Sequence, residues 1–157
     1  MIVMAFAPAA MAGTATTQMH VQTTVVSGCS VSAAPFAFGN YTPGQGAVAA
    51  TSLIKIACTA GTIFGVGLNG GTTAGGTIAQ RLLGNGSYTL QYNLYTSSAY
   101  SVVWGDGSGT SQVRIGTGTG VGTPVTWTLY GLLPDNATNQ AAAMGNYSDT
   151  VLVVMTY

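Results

Sequence analysis

Turn-forming residues interrupt this chain every 8–15 positions: Gly39-Asn40, Pro43-Gly44, Gly61, Asn69-Gly70-Gly71, Gly75-Gly76, Asn85-Gly86, Gly105-Asp106-Gly107, Pro134-Asp135-Asn136 and Gly145-Asn146. The runs between them are rich in β-branched and aromatic residues: LIKIAC (53–58), IFGVGL (63–68), YTLQYNLY (88–95), VVW (102–104), VTWTLYGLL (125–133) and YSDTVLVVMTY (147–157). Side chains of that shape fit a pleated surface, and regular short strands between Gly, Pro and Asn turns specify an all-β sandwich. No segment carries a helical stripe, although NQAAAM (139–144) is expected to make one turn of helix. Residues 105–122, GDGSGTSQVRIGTGTGVG, approach low complexity. They read as a long loop or mobile hairpin, because no fixed period appears that would build a β-helix.

The two ends of the chain carry the cleanest alternation. In residues 13–27, Ala15, Thr17, Met19, Val21, Thr23 and Val25 share one face, and Thr16, Gln18, His20, Gln22 and Thr24 share the other. A period of two means one face built for burial and one for water. The segment precedes the first cysteine, and no tight-turn dipeptide folds it back into a hairpin. It therefore reads as a strand its own domain does not need, suited to completing another molecule's sheet. At the other end, Tyr147, Asp149, Val151, Val153, Met155 and Tyr157 alternate with Ser148, Thr150, Leu152, Val154 and Thr156, and no partner strand follows. A domain with a spare strand at one end and an uncovered core strand at the other is suited to head-to-tail polymerisation.

Composition narrows the partners. At 157 residues the chain is one domain with room for a sizeable core. Hydrophobic residues make up 47% but charged residues only 4%, where about a quarter is usual. Glu is absent, and Lys55, Arg81, Arg114, Asp106, Asp135 and Asp149 are the whole ionic inventory, with net charge zero. Three cations cannot form the basic face that nucleic-acid binding needs. Low net charge also removes the usual protection against self-association.

The opening MIVMAFAPAAMAG is an apolar run closing on Ala10-Met11-Ala12, the small-x-small pattern of a signal-peptidase site. Cleavage is expected before Gly13, which makes residues 1–12 a leader remnant and 28–157 the body; the run has no positively charged start, so the true initiator is expected upstream. No other stretch approaches the roughly 18 apolar residues of a membrane span. Export fits the two cysteines, since an isolated pair such as Cys29 and Cys58 in an oxidising compartment is most simply a disulfide. A metal site is the alternative, disfavoured by a single His and no CxxC.

Catalysis has little to stand on. A Ser-His-Asp arrangement would need His20, which lies on the polar face of the N-terminal strand. Asp106 and Asp135 sit in turn contexts that favour local backbone hydrogen bonds. Asp149 is expected to accept hydrogen bonds or to pair with Arg81 or Lys55 at a sheet end. No GKS or GKT marks a phosphate loop. Asn85, Asn136 and Asn146 head glycosylation-like triplets of a kind common by chance, and Trp104, Trp127 and the eight Tyr read as core or sheet-surface residues. No enzyme activity, cofactor or metal is expected.

Several pieces match one family in order and spacing: the Cys29 region, Phe38-Gly39-x-Tyr41, Ile56-x-Cys58, Gly70-Gly71, Arg81, Leu90-x-Tyr92-x-Leu94-Tyr95, Trp104-Gly105, Tyr130-Gly131-x-Leu133-Pro134 and Gly145-x-Tyr147-x-Asp149-Thr150-Val151. Over residues 28–157 the chain resembles the spore coat protein U domain family, which includes the subunits of archaic chaperone–usher pili. The resemblance implies an incomplete immunoglobulin-like β-sandwich that lacks its last strand. It implies a periplasmic chaperone holding the open groove until an outer-membrane usher lets the next subunit's N-terminal strand replace it. On that basis Met19, Val21, Thr23 and Val25, with Ala15 and Thr17 before them, are expected to face into a neighbour's groove. The edge strand of that groove would present Val151, Val153, Met155 and Tyr157. The implied product is a cell-surface fimbria, a homopolymer of identical or related subunits, serving surface attachment and biofilm formation.

Three other readings compete. A fimbrial tip adhesin needs no donor strand and usually carries an extra receptor domain. A small outer-membrane barrel would use the 147–157 alternation as its closing strand, but its lumen and loops would want more than six charges. A secreted coat protein of the same fold differs only in its gene neighbours.

Overall fold

The computed structural model describes residues 13–157, so the expected leader at 1–12 lies outside the described residues. Among the described residues, eight strands and one helical turn follow in order: β1 (Cys29–Ala33), β2 (Val48–Cys58), β3 (Ile63–Leu68), β4 (Arg81–Asn85), β5 (Tyr88–Tyr95), β6 (Arg114–Thr117), β7 (Val125–Leu133), α1 (Ala137–Gln140) and β8 (Val153–Thr156). They form a five-stranded sheet, β1-β2-β7-β5-β4, and a three-stranded sheet, β6-β3-β8. Every ladder between these strands is antiparallel.

Strict alternation builds the core. Along β2, Ser52, Ile54, Ile56 and Cys58 are buried while Thr51, Leu53 and Lys55 face water. From the other sheet Phe64, Val66 and Leu68 of β3 meet them, joined by Leu90, Tyr92 and Leu94 of β5 and Leu129 and Leu133 of β7. Trp104 is wholly buried and donates its indole N–H to the Val66 carbonyl at 2.8 Å. This is an all-β, incomplete immunoglobulin-like sandwich; its helical turn, Ala137–Gln140, starts two residues before the expected NQAAAM and takes in only Asn139 and Gln140 of it.

Three local expectations are corrected. Residues 105–122 are not loop throughout: Arg114–Thr117 forms β6, an edge strand paired with β3. The period-two signal there is hidden because β6 is only four residues long and includes Gly116, where a Cβ would press on Phe64 and Trp127. The Arg114 guanidinium stacks over Trp127 at 4.5 Å and Trp104 at 5.0 Å, covering that edge of the core. VVW supplies two isolated bridges, Tyr95↔Val103 and Trp104↔Gln112, and no strand. The C-terminal alternation holds from 147 onward, yet ladder pairing is confined to β8, with one earlier bridge between Ser148 and Gly84.

Arg81 ties the sheets together. It is fully buried, and its guanidinium donates to the carbonyls of Asn69 (2.8 Å), Leu68 (3.3 Å) and Trp104 (2.9 Å) and to Asn93 Oδ1 (2.5 Å). Burial lowers its pKa, yet these acceptors, spread over both sheets, engage four of the five donors of its planar fork. Replacing Arg81 by Met is expected to cost about 3 kcal/mol or more, because each buried carbonyl left without a donor costs about 1–3 kcal/mol. Arg81→Lys should recover little of it, since a point-like ammonium cannot span the same acceptors. Urea unfolding reads both, and an Arg81→Met loss below about 1 kcal/mol would mean that the tie is dispensable.

Cys29 and Cys58 are bonded to each other, as neighbours in the β1–β2 register. The bond closes a loop with a sequence separation of 29. Its reduction is expected to lower stability by about 3–4 kcal/mol in the chain-entropy account. Intact mass without reductant should be lighter by two hydrogens than after reduction, and free thiols in exported material would contradict the bond.

Candidate functional site: an open groove between two sheet edges

The core is closed unevenly. Phe64, Val66 and Leu68 of β3 are at most 1% exposed, whereas Val153 and Met155, which point inward from the adjacent β8, are only partly buried. The difference is a missing neighbour. Among the described residues β8 pairs with β3 alone and β1 with β2 alone, so each presents a free hydrogen-bonding edge, and the two edges lie side by side. Along β1 and β8 the Cα atoms come within 8 Å. A strand bonded to both would need roughly 9–10 Å between them.

Farther along, the same two walls separate. Residues 36–43, which continue from β1, and residues 142–149, which lead into β8, enclose an open cleft of about 930 Å³ whose floor includes Leu83, Leu90 and Leu133. The first wall packs through Phe36 and Phe38, whose rings meet edge-on at 5.0 Å, and through Phe38 against Tyr92 at 5.7 Å. Gly131 on β7 permits this, because a Cβ there would collide with the Phe36 ring and crowd that of Phe38.

Two carboxylates fix the walls. Asp135 accepts from Tyr41 Oη at 2.6 Å, from the backbone N–H of Gly44 at 3.1 Å and of Gly46 at 2.8 Å, and from Gln140 at 3.2 Å. Its hydroxyl and backbone donors are thus long-range, not the local turn amides expected. The Tyr41 hydroxyl and the two backbone donors hold Asp135 down at about 2, while burial and this carboxylate push Tyr41 up to about 12. Asp149 accepts from Tyr92 Oη at 2.7 Å and from the backbone N–H of Thr72 at 2.8 Å and Thr73 at 3.0 Å. Burial alone would raise Asp149, but those hydrogen bonds outweigh it and its pKa is lowered; Tyr92 is raised by burial and by the carboxylate. Gly71, at φ +88°, lets the backbone pass close to Asp149, where any Cβ would strike the carboxylate. Asp149 is not hydrogen-bonded to Arg81, whose donors are used elsewhere.

Within the single chain, residues 13–27 join no ladder and every one of them is exposed. Met19, Val21 and Val25 are 84%, 80% and 79% exposed. Ala15, Thr17 and Thr23 are exposed as well, and the contact to the body is Thr59 Oγ1 donating to the Val26 carbonyl. At the other terminus Val151, Val153 and Met155 are partly buried against the core, while Tyr157 is 63% exposed beyond the end of β8. His20 is exposed beside Gln22, far in sequence from any carboxylate partner. Among the described residues no group of three or more His, Cys, Asp or Glu is placed to hold a metal ion, and no helix is long and apolar enough to cross a membrane.

A two-sheet body with free strand edges at both β1 and β8, and an unpaired alternating segment outside it, is consistent with a β-sandwich completed by a further strand. The chain belongs to the Spore Coat Protein U domain family, whose profile matches residues 15–154. No curated protein matches it in sequence. Among solved structures it is similar to a chain in the crystal structure of the CsuC–CsuE chaperone–tip adhesion subunit pre-assembly complex, from archaic chaperone–usher Csu pili of Acinetobacter baumannii. The TM-score is 0.60 at 24% identity, over 85% of this chain and 40% of that one. At that identity the likeness is one of fold, and this chain spans two fifths of the neighbour's length.

Proposed function

We propose that this chain is a structural subunit of a chaperone–usher pilus that polymerises by donating residues 13–27 to the groove of the next copy. The observation that carries this reading is the pairing of an exposed alternating segment with a groove flanked by two free strand edges in the same molecule. Such edges are an aggregation hazard unless covered, which supports a periplasmic chaperone before assembly and an outer-membrane usher as the place of exchange. Residues 1–12 would be removed on export, 13–27 would act as donor and 28–157 as acceptor body. The product would be an extracellular fimbria for surface attachment and biofilm formation.

A shaft position is favoured over a tip position because the one chain carries both donor segment and groove. A non-catalytic role follows from the same assignment. Electron microscopy of cells expressing this gene with its chaperone and usher tests it. Surface fibres are expected with the gene and are expected to disappear or shorten without it; unchanged fibres would reject a shaft role, and a coat layer without fibres would favour the coat-protein reading.

A further inference from the structure

Only three carboxylates exist among the side chains of this protein, and two of them hold opposite walls of the groove. Asp106 is the exception: it accepts from the Ser108 N–H at 2.8 Å within its own turn. Residues 36–43 lie in no strand, and Gln45 N–H donates only locally, to Thr42. Ser52 Oγ fixes the start of this wall by donating to the Ala34 and Pro35 carbonyls, and the Phe36, Phe38 and Tyr41 rings pack on the core; farther along, Asp135 holds it through Tyr41, Gly44 and Gly46. On the facing wall Asp149 anchors the approach to β8 onto the 69–73 loop and onto Tyr92. Each carboxylate thus collects one tyrosine hydroxyl and two backbone N–H groups, charge-assisted bonds about twice as strong as neutral ones. The groove is open where these clamps act and narrow along β1 and β8, where neither reaches.

We infer that Asp135 and Asp149 are positioning residues for strand capture, holding the two walls apart so that the empty subunit keeps a pre-formed entrance for the incoming strand. This rests on the strand-accepting reading above. A clamp that pre-forms a site removes a closure step from binding, so its loss appears in the rate of capture. A residue that only supports the fold would instead lower the stability of empty and filled forms alike.

The test uses the full-length chain carrying Val21→Asp, an acceptor whose own donor segment is disabled at an exposed position. A fluorescent peptide of residues 13–27 is the probe. In that background Asp135→Asn and Asp149→Asn are each expected to slow peptide association about tenfold or more, the equivalent of one lost charge-assisted hydrogen bond. Dissociation and the melting temperature of the filled form should stay near the parent's, and Asp106→Asn should leave association unchanged. If the Asn variants do not fold empty, Tyr41→Phe and Thr73→Val, which each remove one donor from a clamp, are read by the same criterion. Equal association rates for the wall variants and Asp106→Asn would overturn the inference. So would a loss confined to dissociation or to the filled form's stability. Failure of the parent acceptor to capture the peptide would instead refute the strand-accepting reading itself.

Discussion

Val21→Asp is expected to abolish fibre growth, whereas Gln22→Asp should leave it intact. The two positions are neighbours, and both are exposed in the single chain, so neither substitution should disturb the body's own fold. They separate only on insertion, because alternate side chains of a strand point to opposite faces. With Met19, Val21, Thr23 and Val25 inward, the carboxylate of the Val21→Asp variant would be driven onto an apolar floor where Leu90 and Leu133 offer no partner. Burying an unpaired carboxylate costs about 4 kcal/mol or more, which weakens each subunit contact on the order of a thousandfold. The carboxylate of the Gln22→Asp variant stays in water and adds charge to a nearly uncharged surface, which favours solubility. Size-exclusion chromatography and electron microscopy of the two variants provide the comparison. Equal polymerisation, or equal loss, would show that the strand is not read with this register.

The period-two pattern made the body legible where strands are long and apolar on one face. IFGVGL, YTLQYNLY and VTWTLYGLL coincide with β3, β5 and β7. It did not reveal β1, whose CSVSA offers one large apolar residue, Val31, or β4, whose RLLGN buries an arginine. Short edge strands take their pairing from neighbours more than from their own side chains, as β6 shows with a glycine inside it. The C-terminal alternation is visible in burial from Tyr147 on, but the strand narrows to Val153–Thr156 because one of its two flanks has no partner to extend the ladder. The groove's residues were only partly legible. Edge strand and donor segment follow from alternation, whereas the roles of Asp135 and Tyr41 depend on a contact across 94 positions that no local pattern encodes. The turn context of Pro134-Asp135-Asn136 pointed to local bonds, and tertiary structure recruited the carboxylate to a distant loop instead.

A peptide of residues 13–27 added to the Val21→Asp chain is expected to raise its melting temperature by roughly 5–10 °C at a concentration about a hundredfold above its dissociation constant. Ligand at that excess stabilises by about 2.7 kcal/mol, and for a domain of this size each kcal/mol moves the midpoint by about 2–4 °C. The gain has a structural source: once β1 and β8, which lie within 8 Å of each other in the empty chain, part to admit a strand, the filled groove would bury Val153 and Met155 as fully as Val66 and Leu68 already are and would pair both free edges. The same peptide carrying Val21→Asp should stabilise nothing, which separates sequence-specific insertion from general adhesion to an apolar surface. In a fibre the donor is tethered to the next subunit, and a contact between unlike surfaces propagates as an open filament instead of closing into a dimer. Every groove but the terminal one is then filled, so the fibre should outlast the isolated subunit in denaturant through slow unfolding as much as through depth of the well. No shift with the parent peptide well above micromolar concentration, with refolding allowed, would refute strand donation, because an open groove offered its own completing segment could not then remain empty.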